Sequence, residues 1–99
     1  MPITLCILLW ESPGKGPELA AFEDAVLELL PRHNGRVVSR HATVGRGEGD
    51  PLEVQLIELP DDDALADYMA DPDRSRLADE HQRDEVISRT QVLRVEPRS

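Results

Sequence analysis

Arg40 and Glu58 are the residues of this sequence best suited to gripping a polar group, provided the fold brings them together. Arg40 lies in the stretch Arg36 to Val44 and Glu58 in the stretch Leu52 to Leu59, both of which read as strands. If the two form a hairpin turning near Gly49, Arg40 stands opposite Glu58, Ala42 opposite Leu56 and Val44 opposite Val54. An arginine–carboxylate pair on a sheet face covered by another subunit is partly desolvated and able to bind a polar substrate group. The plainer reading is an ion pair that fixes strand pairing or assembly, and the sequence favours it.

His41 follows Arg40 and so points to the opposite face of the same strand. It could serve as an acid or base, although a single strand histidine more often packs and hydrogen-bonds. His33, near a helix end, suits the helix dipole. His81 follows Leu77 by one turn and belongs to the core or the rim of a pocket. Trp10, near a strand end, can stack on a flat ligand or anchor an interface, and the second role fits better. Tyr68 shares a helical stripe with Leu65 and Met69, which places its ring in the core and its hydroxyl at the edge. The candidate pocket set is therefore Trp10, Arg40, His41, Glu58, Tyr68 and His81. Cys6, mid-strand among aliphatics, reads as a packing residue, since apolar surroundings quench a thiol.

Other chemistries lack their residues. Asp61, Asp62, Asp63, Asp67 and Asp71 follow no calcium-loop spacing, and no His or Cys alternates with them. They read as helix caps and solvated faces, so no metal is expected. The loop Gly45 to Gly49 lacks the Lys-Ser/Thr ending of a phosphate loop, and no nucleophile elbow of the Gly-x-Ser-x-Gly type exists. No cofactor is expected.

These residues need elements to position them. The 99 residues suit one domain spanning 1–99, with a thin core of its own. Twenty acidic against eleven basic residues give a net charge of −9, which argues against nucleic acid or an anionic membrane as partner. The run Ile3 to Trp10 is too short to span a bilayer and lacks the features of a signal peptide, so a cytoplasmic protein is expected. That run reads instead as a first strand. A helix opening at Pro17 follows, with Leu19, Phe22 and Val26 on one stripe, and Asn34-Gly35 stops it. After the hairpin, Asp61 to Asp63 start a second helix, which Asp71-Pro72 breaks and restarts, and Gln91 to Val95 forms a last strand. The segment 61–84 carries nine acids and three arginines, which predicts an acidic outward surface.

The order β-α-β-β-α-β predicts an α+β, ferredoxin-like domain: a four-stranded antiparallel sheet in spatial order four-one-three-two, with the helices on one face. Both faces of the first strand are apolar. Ile3, Leu5, Ile7 and Leu9 suit the helices, whereas Thr4, Cys6, Leu8 and Trp10 would meet water in a monomer. No spare element can cover them, so a second copy of the sheet is expected, giving a homodimer; a wet, shallow ligand cleft on a monomer is the alternative.

The sequence thus resembles the dimeric α/β-barrel superfamily over nearly its whole length, Ile3 to Val95. The resemblance is carried by Asn34-Gly35-Arg36-Val37-Val38-Ser39-Arg40, by Leu56-Ile57-Glu58-Leu59-Pro60 and by Tyr68-Met69-Ala70-Asp71-Pro72. It is nearest to a family of small bacterial domains of unknown function. The superfamily also includes cofactor-independent monooxygenases, haem-degrading enzymes and lactone isomerases, but a shared fold transfers no chemistry. The Asn, Trp and His set of the haem-degrading enzymes is not evident: Trp10 lies on a strand, and the only asparagine is Asn34, in a turn. The Asn, Trp and Tyr set of the monooxygenases is not evident either. The resemblance implies a small-ligand-binding or interaction module, or else a cofactor-independent enzyme acting on a small metabolite in the barrel pocket.

Overall fold

The computed structural model describes residues 1–98 and has the expected order with one refinement. Strand β1 (Ile3–Glu11) is followed by helix α1 (Gly16–Leu27), a 3-10 turn (Leu30–His33), and strands β2 (Arg36–Ala42) and β3 (Glu53–Leu59). Helices α2 (Asp62–Met69), α3 (Pro72–Glu80) and the one-turn α4 (Arg83–Val86) lead into β4 (Ile87–Val95). The four strands form one antiparallel sheet in the order β2-β3-β1-β4, as the pattern of β1 predicted.

The sequence patterns explain the elements. Asp61 caps α2 by accepting from the Ala64 amide at 2.8 Å, and Asp71 caps α3 by accepting from the Asp73 amide at 2.9 Å. Asn34 takes the left-handed conformation after the 3-10 turn, with φ of 60°. Gly35 follows because a Cβ there would sit 3.0 Å from Leu59 and 3.1 Å from the Glu58 carbonyl. β4 begins at Ile87, four residues earlier than its alternation suggests, since α4 delivers Val86 and Ile87 into the core.

All helices lie on the odd-numbered face of β1. Ile3, Leu5, Ile57 and Leu59 pack against Leu27, Leu30 and Tyr68, while Leu9 packs against Leu19, Phe22, Val26 and Val86. Burying side chains of this size stabilises by roughly 1.5–3 kcal/mol each. No helix among the described residues lies on the opposite face of the sheet. The slab is accordingly 38 by 37 Å wide and 16 Å thick. No helix among the described residues is long and apolar enough to cross a membrane.

The β2–β3 register differs from the expected one. Arg36, not Arg40, stands opposite Glu58, and Arg40 stands opposite Gln55. Two features cause the shift. The strands end at Ala42 and Glu53, so the hairpin centres near Gly47 rather than Gly49. There Arg46 clamps the loop, with its guanidinium on Glu11 at 2.7 and 2.8 Å and on the Asp50 carbonyl at 3.0 Å. In addition, a bulge between Val37 and Ser39 inserts one residue into β2. Arg40 is thereby on the helix side and Glu58 on the open side.

Candidate functional site

The six residues singled out from the sequence do not converge. Glu58 lies on the open face and pairs with Arg36 at 3.2 Å. His41, opposite Val54, is exposed on that same face. Trp10 is on the open face as well, with its indole N–H donating to the Gly49 carbonyl at 2.9 Å and the Arg89 guanidinium 4.4 Å above its ring. His81 caps the end of α3, its ring 5.7 Å from Phe22. Arg40 and Tyr68 are on the helix side, and of the six only Tyr68 reaches a cavity there.

That cavity has a volume of about 210 Å³ and lies between the sheet and the helices. Its walls are Leu5, Ile7, Leu9, Ile57 and Leu65, with Tyr68 and Met69 from α2. Thr90 and Val92 of β4 also line it, and Val92 and Met69 are both more than half exposed, which places an opening along this strand. The polar groups in the lining besides Tyr68 and Thr90 are Glu23 from α1, Arg74 from α3 and Arg83 from α4. The Tyr68 hydroxyl donates to the Val26 carbonyl at 3.1 Å, so the ring forms a fixed wall.

Glu23 is the unexpected member. Its place in the sequence suggests a solvated helix face, yet it is buried. It accepts from the Gln55 side-chain amide at 2.8 Å, and the same nitrogen donates to Glu53 at 2.6 Å. Gln55 is fully buried, and its carbonyl oxygen has no partner among the described residues. Arg40 closes the network from the sheet edge. Its Nε and Nη2 donate to Glu53 at 2.6 and 3.2 Å, Nη2 reaches the Ala20 carbonyl at 3.2 Å, and Nη1 pairs with Asp24. Two buried carboxylates, one amide and one arginine thus lie in a row leading to the cavity. Burial pushes the Glu23 carboxyl above its ordinary value, and the nearby Glu53 charge adds to this; the Gln55 hydrogen bond and the charges of Arg74 and Arg40 oppose it.

The raised value has a stability consequence. Native Glu23 holds its proton to higher pH than unfolded Glu23 does, so its stabilising contribution is present at acid pH and is lost as pH rises through the folded value. Glu23→Gln, which keeps the acceptor for Gln55 and carries no charge, should therefore melt higher than wild type at pH 7. The difference should shrink toward pH 4. A thermal melt series across this range checks it; a variant less stable at pH 7 would mean that the carboxylate is well solvated.

A second network missed in the sequence ties the helices together. Asp71 is buried and accepts from His33 Nε2 at 2.8 Å and from Arg32 Nη1 at 3.2 Å, besides capping α3. The His33 hydrogen bond, foremost, holds the Asp71 carboxyl below its ordinary value. His33 also meets the Tyr68 ring edge-on at 5.9 Å. It is a structural brace for the cavity wall. No group of three or more potential metal ligands occurs among the described residues.

No family model matches the sequence, and no curated protein matches it closely. Solved structures do match in fold. A protein of unknown function from Rhodopseudomonas palustris aligns over 99% of this chain and 83% of its own, with a TM-score of 0.77 at 18% identity. A Pseudomonas aeruginosa protein aligns over 99% and 95%, with a TM-score of 0.78 at 15% identity. A Bacteroides thetaiotaomicron protein, provisionally assigned as an antibiotic biosynthesis monooxygenase, aligns over 97% and 89%, with a TM-score of 0.74 at 14% identity. At such identities the likeness concerns the fold, and the chain has the ferredoxin-like α+β fold that the sequence resemblance implied.

Proposed function

We propose that this protein is a homodimer, paired through its open sheet faces, that binds a small ligand in the cavity between sheet and helices of each subunit. The cavity carries the reading: it has apolar walls, a few fixed polar groups and an opening at β4, the usual composition of a small-molecule site. Its volume is above the ~150 Å³ at which a cavity accommodates benzene.

Support for the pairing comes from the other face. Cys6, Leu8 and Trp10 of β1 lie beside Val54 and Leu56 of β3 and Leu93 of β4, and Val38 adds to the patch. Leu93 and Val38 are 44% and 43% exposed, where an antiparallel sheet facing water normally carries polar residues. The accessible surface of 6277 Å² also exceeds the roughly 5,650 Å² expected of a folded monomer of this mass. A second sheet stacked on the first removes this surplus.

Ligand binding is tested by filling the cavity. A set of small aromatic and aliphatic metabolites is screened by thermal shift against wild type and Leu65→Trp. The reading expects at least one compound to raise the melting temperature of wild type and to lose that effect in the variant. Compounds that stabilise both proteins equally would place the binding elsewhere.

A second reading rests on Glu23. A buried carboxyl with a raised pKa in an apolar cavity is suited to holding and passing on a proton, as a cofactor-independent isomerase requires. Turnover abolished by Glu23→Gln with binding retained would favour this enzyme over the binding module.

A further inference from the structure

Arg74 stands out among the arginines of the helix layer. It lies in the first turn of α3, where a positive charge opposes the helix dipole. Its guanidinium sits over the Tyr68 ring at 5.2 Å from the centroid, and it lines the cavity. Its Nε is buried with no hydrogen-bond partner among the described residues. Arg32, Arg40 and Arg76 each have a carboxylate partner, whereas Arg74 forms no ion pair among the described residues. Arg83, the second guanidinium at the cavity, is occupied by Thr90 at 3.3 Å and Asp84 at 3.5 Å. A buried donor left unmade is costly, and a fixed guanidinium fork matches a carboxylate in two-point geometry.

We propose that the cavity takes a small molecule with a flat apolar body and a single carboxylate, and that Arg74 receives the carboxylate. This rests on the ligand-binding reading above. The aliphatic walls accept the apolar body, and the volume of about 210 Å³ limits it to about one ring with a short substituent. A cationic ligand would face two arginines, with Glu23 as the only acidic group in the lining among the described residues and already engaged by Gln55. A phosphate dianion would need several donors, and the lining offers one guanidinium without an ion-pair partner among the described residues against many carbon atoms.

The test compares benzoate, its neutral counterpart benzamide and the cation benzylamine, each titrated calorimetrically into the full chain. The expected result is that wild type binds benzoate about tenfold or more tightly than benzamide, the scale of one charge-assisted hydrogen bond. Arg74→Gln should remove that preference, bringing benzoate affinity down to that of benzamide. Arg74→Lys, which keeps the charge without the fork, should restore part of it. Equal affinity for benzoate and benzamide, a preference for benzylamine, or an unchanged preference in Arg74→Gln would overturn the assignment to Arg74 and leave the ligand site standing. If none of the three binds, and the metabolite screen against Leu65→Trp is also blank, the ligand site itself falls.

Discussion

Arg40→Met should cost about 3 kcal/mol of folding stability, the lower end of the range for stripping one partner from a buried ion pair. The lower end applies because Arg40 is 27% exposed at the sheet edge, where water screens part of the loss. The physical reason lies in what remains. Glu53 would keep only one N–H of the Gln55 amide, whose other N–H goes to Glu23, and a buried carboxylate would be left without its cation. The loss is read as a shifted denaturant midpoint at constant slope. A companion variant separates charge from packing: replacing both partners, as Arg40→Met with Glu53→Leu, should recover most of the loss, since no buried charge is stranded. A loss below about 1 kcal/mol in the single variant would show that Glu53 is hydrated and the network is a surface pair.

The second large effect concerns the open face. Leu8 is central on β1, between Val54 of β3 and Gln91 of β4. In a stacked pair of sheets its burial contributes roughly 1.5–3 kcal/mol per subunit. Leu8→Asp replaces that gain with an unpaired charge in an apolar interface, at a cost of several kcal/mol. Dimer affinity should fall at least about a hundredfold, at 1.4 kcal/mol per tenfold. Size-exclusion chromatography of the variant should show a monomer, or a chain that no longer folds. Val44→Asp, in the hairpin loop at 89% exposure, is the control and should leave the elution unchanged. Co-elution of Leu8→Asp with wild type would place the pairing, if any, on another surface.

The fold was legible because its determinants are local and periodic. The two apolar faces of β1, the caps Asp61 and Asp71, and the stop at Asn34-Gly35 each act within a few residues of their own position. Strand order follows from these once the short connections are counted. The candidate site was much less legible, because it depends on register. A hairpin centred near Gly47 and clamped by Arg46 moves Arg40 from Glu58 to Glu53 and puts the two on opposite faces, and one extra residue near Val38 then sets Arg36 against Glu58. Periodicity has no means of foreseeing such a bulge. Glu23 and Gln55 were hidden for another reason. Each is polar, so a hydropathy pattern assigns it to solvent, and what allows them inside is a chain of bonds across three elements: Gln55 donates to Glu23 and Glu53, and Arg40 pairs with Glu53. The one available signal was Gln55, whose position in β3 shares the inward parity of Ile57 and Leu59. Arg74 left no trace beyond being a cation in the first turn of a helix.

The pairing of the open faces bears most directly on the account, since it decides whether the apolar patch is an interface. Sedimentation equilibrium of the wild-type protein at micromolar concentration tests it. The account predicts a single species of twice the 11.1 kDa chain mass, consistent with an interface burying more than ~1,200 Å². A single species at 11.1 kDa across the concentration range would contradict it and leave Leu8, Leu56 and Leu93 as the wall of an open cleft.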